Sequence, residues 1–126
     1  MKILVVEPKK APYTKEIGND INSMQKEVDG FIECVYFFDD PMVIVCNEEG
    51  KINGLPLNRA LRDRSGDVLD VIAGTFFVVG QDEDNGEFCD ISDEMLEKYT
   101  EYFKTPEQFI RIGYKIITVP VKEEVK

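Results

Sequence analysis

The chain has no histidine and no tryptophan, and it holds only three cysteines. The absence of histidine removes the commonest general base and the usual base partner of a serine or cysteine nucleophile. Cys34, Cys46 and Cys89 are widely spaced and form no C-x-x-C pair, which excludes an ordinary structural zinc site. We therefore expect no metal, no cofactor and a non-enzymatic protein; catalysis by carboxylates alone is the remaining enzyme hypothesis.

Long hydrophobic runs are also missing. No apolar stretch approaches the roughly 20 residues that a membrane-spanning helix needs, and Met1-Lys2 leads into a short apolar run without the longer core of a signal peptide. The few, unpaired cysteines fit a reducing compartment. We expect a cytoplasmic protein that does not bind membranes.

Positive charge is scarce, because 15 Lys and Arg residues face 25 Asp and Glu residues and the net charge is -10. This balance argues against direct binding of nucleic acid, which needs a basic surface. With 126 residues, 43% of them hydrophobic, the chain is long enough to bury one core. We expect a single domain over residues 1–120 and a frayed tail over 121–126.

Strand-like segments dominate the pattern. Several short runs are apolar, β-branched or aromatic and are bounded by turn residues, as expected of strands; they are KILVVEP (2–8), FIECVYFF (31–38), MVIVCN (42–47), VLDVIAGTFFVVG (68–80) and the final YKIITVPV (114–121). The 68–80 run predicts one central strand covered on both faces, with Gly74 at a bulge or a close backbone approach. The turn NEEG (47–50) predicts a hairpin into KING (51–54), and RSGD (64–67) predicts a second turn.

Helical spacing predicts two or three helices. The first has Thr14 as its N-cap and stops at Gly30, and its buried stripe is Ile17, Ile21, Met24 and Val28. The second is capped by Ser92, and a proline after Thr105 predicts a third, short helix. The fold class is therefore α+β: a single compact domain with a mostly antiparallel or mixed sheet of five to seven strands and two or three helices.

One short stretch, GLPLNRALRDR (54–64), holds three of the four arginines. Asn58 is placed to cap a helical turn that starts at Arg59. On one hypothesis Arg59, Arg62 and Arg64 pair with the nearby aspartates Asp63, Asp67 and Asp70, and on the other they grip a phosphate or carboxylate. The second hypothesis makes this segment the candidate binding site of the protein.

Residues 82–97 carry eight acids and no base. The spacing around Gly86 does not match the calcium loop of an EF-hand, which needs acids at alternate positions and glycine at the sixth. Closely spaced acids could instead mimic the phosphates of a nucleic acid. No phosphate-binding glycine loop is present elsewhere, because GDVLDVIAG has neither the lysine nor the spacing that such loops require.

Four segments, KILVVEPKKAPYTKEI, MQKEVDGFIECVY, VCNEEGKINGLPLNRAL and DVIAGTFFVVGQD, together resemble the bacterial domain-of-unknown-function family numbered 3846. The resemblance implies a protein of bacteria, notably Firmicutes, that is often encoded by mobile elements, and it implies no catalytic residues. Within NEEG and GLPLNRAL, the residues that match the family pattern include several turn formers; they are Asn47, Glu48, Gly50, Gly54, Pro56, Asn58 and Arg59.

Our leading hypothesis is a small non-enzymatic binding or accessory protein of mobile-element type whose partner is an unknown protein or a small anionic ligand. The candidate binding residues are Asn58, Arg59, Arg62, Arg64, Asn47 and Glu48. The alternatives are an acidic inhibitor that mimics nucleic acid to block a host nuclease or defence enzyme, and a nucleotide-binding protein that uses Arg59 to Arg64. The sequence leaves monomer and homodimer open.

Overall fold

The computed structural model of the chain describes residues 1–113 and 115–120. Within these residues ten strands and two helices follow one another: β1 (Lys2–Val6), β2 (Tyr13–Glu16), α1 (Ile21–Val28), β3 (Ile32–Val35), β4 (Met42–Asn47), β5 (Leu57–Arg62), β6 (Val68–Ala73), β7 (Phe76–Gln81), β8 (Phe88–Cys89), α2 (Asp93–Tyr102), β9 (Glu107–Ile112) and β10 (Lys115–Pro120). The predicted α+β class is confirmed. The predicted tail at 121–126 lies outside the described residues.

The centre of the fold is a six-stranded sheet. Its order is β2–β1–β7–β4–β3, with β8 paired to the end of β7, and every pair in it is antiparallel. The remaining four strands form two separate antiparallel hairpins, β5–β6 and β9–β10. The central sheet therefore has a strand number within the predicted range.

Both faces of the central sheet are covered, because successive side chains of a strand point to opposite faces and here both sets are apolar. On one face Met24 and Val28 of α1 pack against Ile3, Val5, Val43, Val45, Phe77 and Val79. On the other face α2 and the β5–β6 hairpin supply Met95, Tyr99, Leu61 and Ile72, which pack against Leu4, Val6, Ile44, Phe76 and Val78. The hairpin β5–β6 is thus part of the core.

The predicted start of the first helix is wrong. Thr14 lies in β2, and the helix begins only at Ile21, where the Asp20 carboxylate accepts the backbone N–H of Ser23 at 2.8 Å. An aspartate at this position satisfies one of the unpaired N–H groups of the first turn. The predicted stop is confirmed, since the helix ends at Val28 and Asp29 adopts a left-handed conformation.

The run 68–80 is two strands, and the prediction of one central strand is wrong. Gly74 has a φ of +78°, which favours glycine, and its N–H donates to the Pro56 carbonyl at 2.7 Å. The chain therefore turns at Gly74 and passes from the β5–β6 hairpin into the central sheet. Only the second half, β7, is the buried central strand that the composition predicted.

The predicted hairpin after β4 is also wrong. β4 pairs with β3 and β7, and residues 48–54 form turns before the chain extends into β5. The turn RSGD lies between β5 and β6, as predicted, with Gly66 at a φ of +86°.

The second helix begins where it was predicted, and Ser92 accepts the N–H of Met95 at 3.2 Å. The third helix is absent from its predicted place, because residues from Glu107 form β9. The capping box needed the Glu107 carboxylate to turn back on the helix start. That carboxylate instead reaches β5, and the alternating residues of EQFIRI suit a strand.

Candidate functional site

Asn58 is an interior residue of β5, and the prediction that it caps a helical turn is wrong. Its side chain is fully buried and donates to the carbonyls of Val6 and Gly74, each at 2.9 Å. A buried amide needs such partners. Asn58 therefore ties the β5–β6 hairpin to the end of β1.

Arg59 is buried too, with 2% of its surface exposed. Its Nε donates to the Phe103 carbonyl at 3.1 Å, one Nη donates to the Lys10 carbonyl at 2.6 Å, and the other donates to the Asn58 side-chain oxygen at 2.7 Å. Burial lowers the pKa of the guanidinium, which the nearby Glu107 partly offsets. Arg59 thus holds together the end of α2, the loop after β1, and β5.

Arg62 sits at the edge of this interior. Its guanidinium pairs with the buried Glu107 carboxylate and donates to the Thr118 hydroxyl at 2.9 Å. The other Glu107 oxygen accepts the N–H of Ala60 at 2.6 Å. Since the partner of Arg62 comes from β9, the expected pairing with a local aspartate is wrong for this residue.

Arg64 lies at the tip of the β5–β6 hairpin and is exposed. The Asp63 carboxylate accepts the N–H groups of Ser65 and Asp67, at 2.9 and 3.0 Å, and this fixes the turn. Asp70 pairs with Lys51 at 2.6 Å. Among residues 1–113 and 115–120, Arg64 has no ion pair within 4.0 Å. The hypothesis of pairing with a nearby aspartate is therefore wrong for Arg64 as well.

Two adjoining depressions surround Arg64, of about 310 and 600 Å³, and they share Arg62, Asp63, Arg64 and Tyr102. We call the two together the arginine groove. Arg59 lies in the floor of the smaller depression. Phe37, Phe38, Leu69 and Lys98 line the larger one.

Aromatic rings form much of the wall of the arginine groove. The rings of Phe38 and Tyr102 meet edge to face with centroids 5.1 Å apart, and Phe38 packs against Phe37 in the same way at 4.9 Å. Tyr102 keeps 41% of its surface exposed. The groove therefore offers both an accessible aromatic ring and an accessible guanidinium.

A polar cluster lies in the same wall. The Asp40 carboxylate accepts hydrogen bonds from Lys98 at 2.6 Å and from the Tyr99 hydroxyl at 2.5 Å. The bond from Lys98 has the largest effect on the pKa of Asp40 and lowers it, and the bond from Tyr99 lowers it further. Burial, together with the bond to Asp40, raises the pKa of Tyr99. Both groups are thus held in their ordinary charge states at neutral pH.

Asn47 and Glu48 lie elsewhere, in a separate depression of about 220 Å³. The buried Asn47 amide donates to the carbonyls of Val28 and Asp29, at 3.1 and 3.0 Å. It closes the C-terminal end of α1, whose last carbonyls have no partner within the helix. Glu48 is exposed. The structure therefore does not bring these two residues to the arginine groove.

Sequence reasoning missed the aromatic part of the groove. Phe38, Lys98 and Tyr102 come from segments that are remote from the arginines in sequence. No short-range pattern links residue 38 to residue 102. The one signal was the concentration of Phe and Tyr in two segments, FIECVYFF (31–38) and YTEYF (99–103).

Within the described part of the chain, no group of three or more cysteine or acidic side chains is placed to hold a metal ion, and the three cysteines are free thiols. No helix there has the length and apolar character needed to cross a membrane. The first part of the acidic segment forms a turn in which Asp82 accepts the N–H of Asp84 at 2.8 Å, and its last residues begin α2. Nucleic-acid mimicry stays a prediction.

Comparison with known proteins gives one match. The model of the family described as Domain of unknown function (DUF3846) matches residues 1–104 of the 126-residue chain. No curated protein and no solved structure matches the chain. The matched part includes Arg59, Arg62, Arg64 and Tyr102 of the groove, whereas the β9–β10 hairpin, with Glu107, follows it. Because the match covers most of its length, the chain belongs to the DUF3846 family.

Proposed function

We propose that this protein is a small non-enzymatic binding protein whose arginine groove takes an anionic ligand that carries a planar aromatic group, such as a nucleotide. The observation that carries this proposal is the position of Arg64. Its side chain is exposed, its backbone lies in a hydrogen-bonded turn, and it lines the same depression as the accessible ring of Tyr102, without an ion pair among the described residues.

The chemistry of the lining supports an anion at this place. A guanidinium presents its N–H groups as a fork that fits a phosphate or carboxylate. The larger depression is lined by three cations, Arg62, Arg64 and Lys98, and by three aspartates. The lining is thus formally neutral in a chain of net charge -10, so an anion meets less repulsion there than over the acidic surface as a whole.

The aromatic wall supports a planar group beside the anion. Aromatic rings attract one another in stacked or edge-on arrangements, with a gain of about 0.5–1.5 kcal/mol beyond the buried area. Tyr102 and Phe38 provide such a surface within the depression that also contains Arg64. A ligand with both an anionic group and a planar aromatic group would contact Arg64 and the aromatic wall at the same time.

The polar cluster in the wall favours binding over catalysis. A carboxylate that acts as general base near neutral pH needs a raised pKa. Hydrogen bonds lower the pKa of Asp40, and Tyr99 has a raised pKa. These groups are therefore suited to holding the wall in place, and the chain has no histidine to take their role.

For the setting of this function we keep the expectations drawn from the sequence. We propose that the protein is an accessory protein of a bacterial mobile element and that it acts in the cytoplasm. There a nucleotide or a similar metabolite would be available as ligand. Whether the protein acts alone or as a homodimer is open to direct measurement by light scattering.

The proposal is tested by titrating isotope-labelled protein with adenosine monophosphate, adenosine and inorganic phosphate, and by following backbone amide shifts. We expect shifts at Phe38, Arg64 and Tyr102, and tighter binding of the monophosphate than of either half. Arg64→Ala should weaken its binding about 10- to 100-fold, since a charge-assisted hydrogen bond contributes about 1.5–3 kcal/mol.

The matched control is Lys104→Ala, which removes an exposed cation whose only ion pair in the described residues is with the exposed Glu101. It should leave the affinity unchanged. Equal binding by Arg64→Ala and the unmodified protein would contradict the proposal, and so would saturating shifts confined to residues outside the arginine groove. Weakening by both variants alike would indicate a general charge effect.

A further inference from the structure

The central sheet ends in two edge strands, β2 and β3. The Phe31 carbonyl accepts the N–H of Glu48 at 2.8 Å, and the register continues with Ile32 opposite Asn47 and Glu33 opposite Cys46. In an antiparallel pair, hydrogen-bonded residues alternate along the strand. Phe31, Glu33 and Val35 therefore bond to the β4 side.

The N–H and C=O groups of Ile32 and Cys34 accordingly point away from β4. Among the described residues no strand pairs with β3 on that side. An edge with unpaired backbone groups is a template for a further strand, because each added pair satisfies two donors and two acceptors. β3 thus presents an open ladder of two residues.

The other edge is protected in a way that β3 is not. β2 carries adjacent charges at Lys15 and Glu16, all four of its residues are exposed, and Lys15 is fixed by an ion pair with Glu27 at 2.9 Å. Charged side chains, lysine above all, are a common protection of edge strands. β3 has a single charged residue, Glu33, and no lysine.

Large hydrophobic residues flank the open edge. Phe31 and Tyr36 stand at the two ends of β3 with 67% and 63% of their surfaces exposed. On the Glu33 face lies the depression that also contains Glu48, and its charged lining is Glu33, Glu48, Asp70 and Lys51. Lys51 is already paired with Asp70, so Glu33 and Glu48 leave this face acidic.

We propose that β3 is a docking edge for an extended segment of another protein, which adds to the sheet as a strand and carries the pattern apolar–basic–apolar. The apolar residues would lie opposite Ile32 and Cys34, where backbone hydrogen bonds form. The basic residue would lie opposite Glu33, because directly opposed residues share a face and an opposite charge there stabilises the pair. This surface is independent of the arginine groove.

A second copy of the chain fits this edge poorly in the register that pairs Ile32 with Cys34. If two β3 strands paired about a two-fold axis through the ladder of Ile32 and Cys34, Glu33 would lie directly opposite its own copy. Like charges at that position destabilise a strand pair. Charge complementarity therefore favours a basic partner over self-association.

The test uses the peptide acetyl-Thr-Val-Lys-Val-Thr-amide and hydrogen exchange of the labelled full chain. At millimolar peptide we expect slower exchange at the Ile32 and Cys34 amides and no change at Thr14 and Glu16, which point outward from β2. A peptide methylated on both valine nitrogens should not bind, because those N–H groups would donate to β3.

Side-chain specificity is tested with Glu33→Lys, and Glu16→Lys is the matched control on the other edge. Glu33→Lys should weaken the lysine peptide about three- to tenfold and strengthen a peptide with glutamate in place of lysine. Ile32→Pro, which removes an outward N–H, should abolish binding. If this variant does not fold, the comparison of the parent peptide with the methylated peptide still tests the proposal. The proposal is overturned if the methylated peptide binds as well as its parent, or if the β3 amides gain no protection.

Discussion

Replacing the buried Arg59 by methionine should destabilise the protein far more than the same change at the exposed Arg64. Methionine keeps the length of the side chain and removes its donors. The carbonyls of Phe103 and Lys10 and the side-chain oxygen of Asn58 would then lose the partners that they contact at 3.1, 2.6 and 2.7 Å. Little water can reach the Phe103 carbonyl and the Asn58 oxygen, because Arg59 is 2% exposed, whereas Lys10 lies at the surface.

The size of the effect follows from these three contacts. An unsatisfied buried acceptor costs about 1–3 kcal/mol, so the Phe103 carbonyl and the Asn58 oxygen together would cost several kcal/mol, and the Lys10 carbonyl, on an exposed residue, would cost less. Part of this is offset because the variant no longer buries a charge. We expect the free energy of unfolding to fall by about 3–5 kcal/mol, the range for broken buried polar networks. Arg59→Lys keeps one charged donor, so its free energy of unfolding should lie between those of Arg59→Met and the unmodified protein.

Urea unfolding followed by circular dichroism measures this change. With a slope of about 2 kcal/mol/M, typical of small proteins, the midpoint of Arg59→Met should drop by about 2 M. Arg64→Met, on the exposed turn, should stay within about 0.5 kcal/mol of the unmodified protein. A loss below about 1 kcal/mol for Arg59→Met, or equal losses for the two variants, would refute the assigned role of Arg59.

Two further changes test the wall of the groove and the turn between the sheets. Asp40→Asn should cost about 1–2 kcal/mol at neutral pH, because its carboxylate accepts from Lys98. Since the folded pKa is the lower one, this contribution is present above the unfolded pKa of about 4 and is lost as the pH falls, so unfolding curves of variant and parent should converge in acid. Gly74→Ala should lower the melting temperature more than Gly54→Ala: both residues have positive φ, but only at Gly74 would a Cβ come within 2.7 Å of Leu55.

Local signals predicted those parts of the fold that depend on neighbouring residues. Ser92 caps the second helix because its oxygen needs only the N–H three residues on, and the apolar run 42–47 forms a strand under any arrangement that covers both of its faces. The sequence also predicts the α+β class, since strand-like runs outnumber helical ones. These features require no knowledge of distant contacts.

The wrong predictions share a physical cause, which is competition from distant partners. Asn58 has the side chain of a good N-cap, but its amide bridges Val6 and Gly74 inside the core. Glu107 completes a capping box in sequence, but its carboxylate binds Arg62 of β5. The two residues are 45 positions apart in the chain. In both cases a buried polar contact replaces the exposed cap, and short-range patterns cannot reveal it.

The three arginines of GLPLNRALRDR have three different environments, although they lie within six residues. Arg59 is a buried support for backbone carbonyls, Arg62 is tied to β9 through Glu107, and Arg64 is exposed on a fixed turn. A variant that removes all three would therefore lose stability whether or not a ligand binds, and a loss of binding in it would carry no information. Only Arg64 can be changed without disturbing the interior, and for this reason the single substitution is the decisive one for the arginine groove.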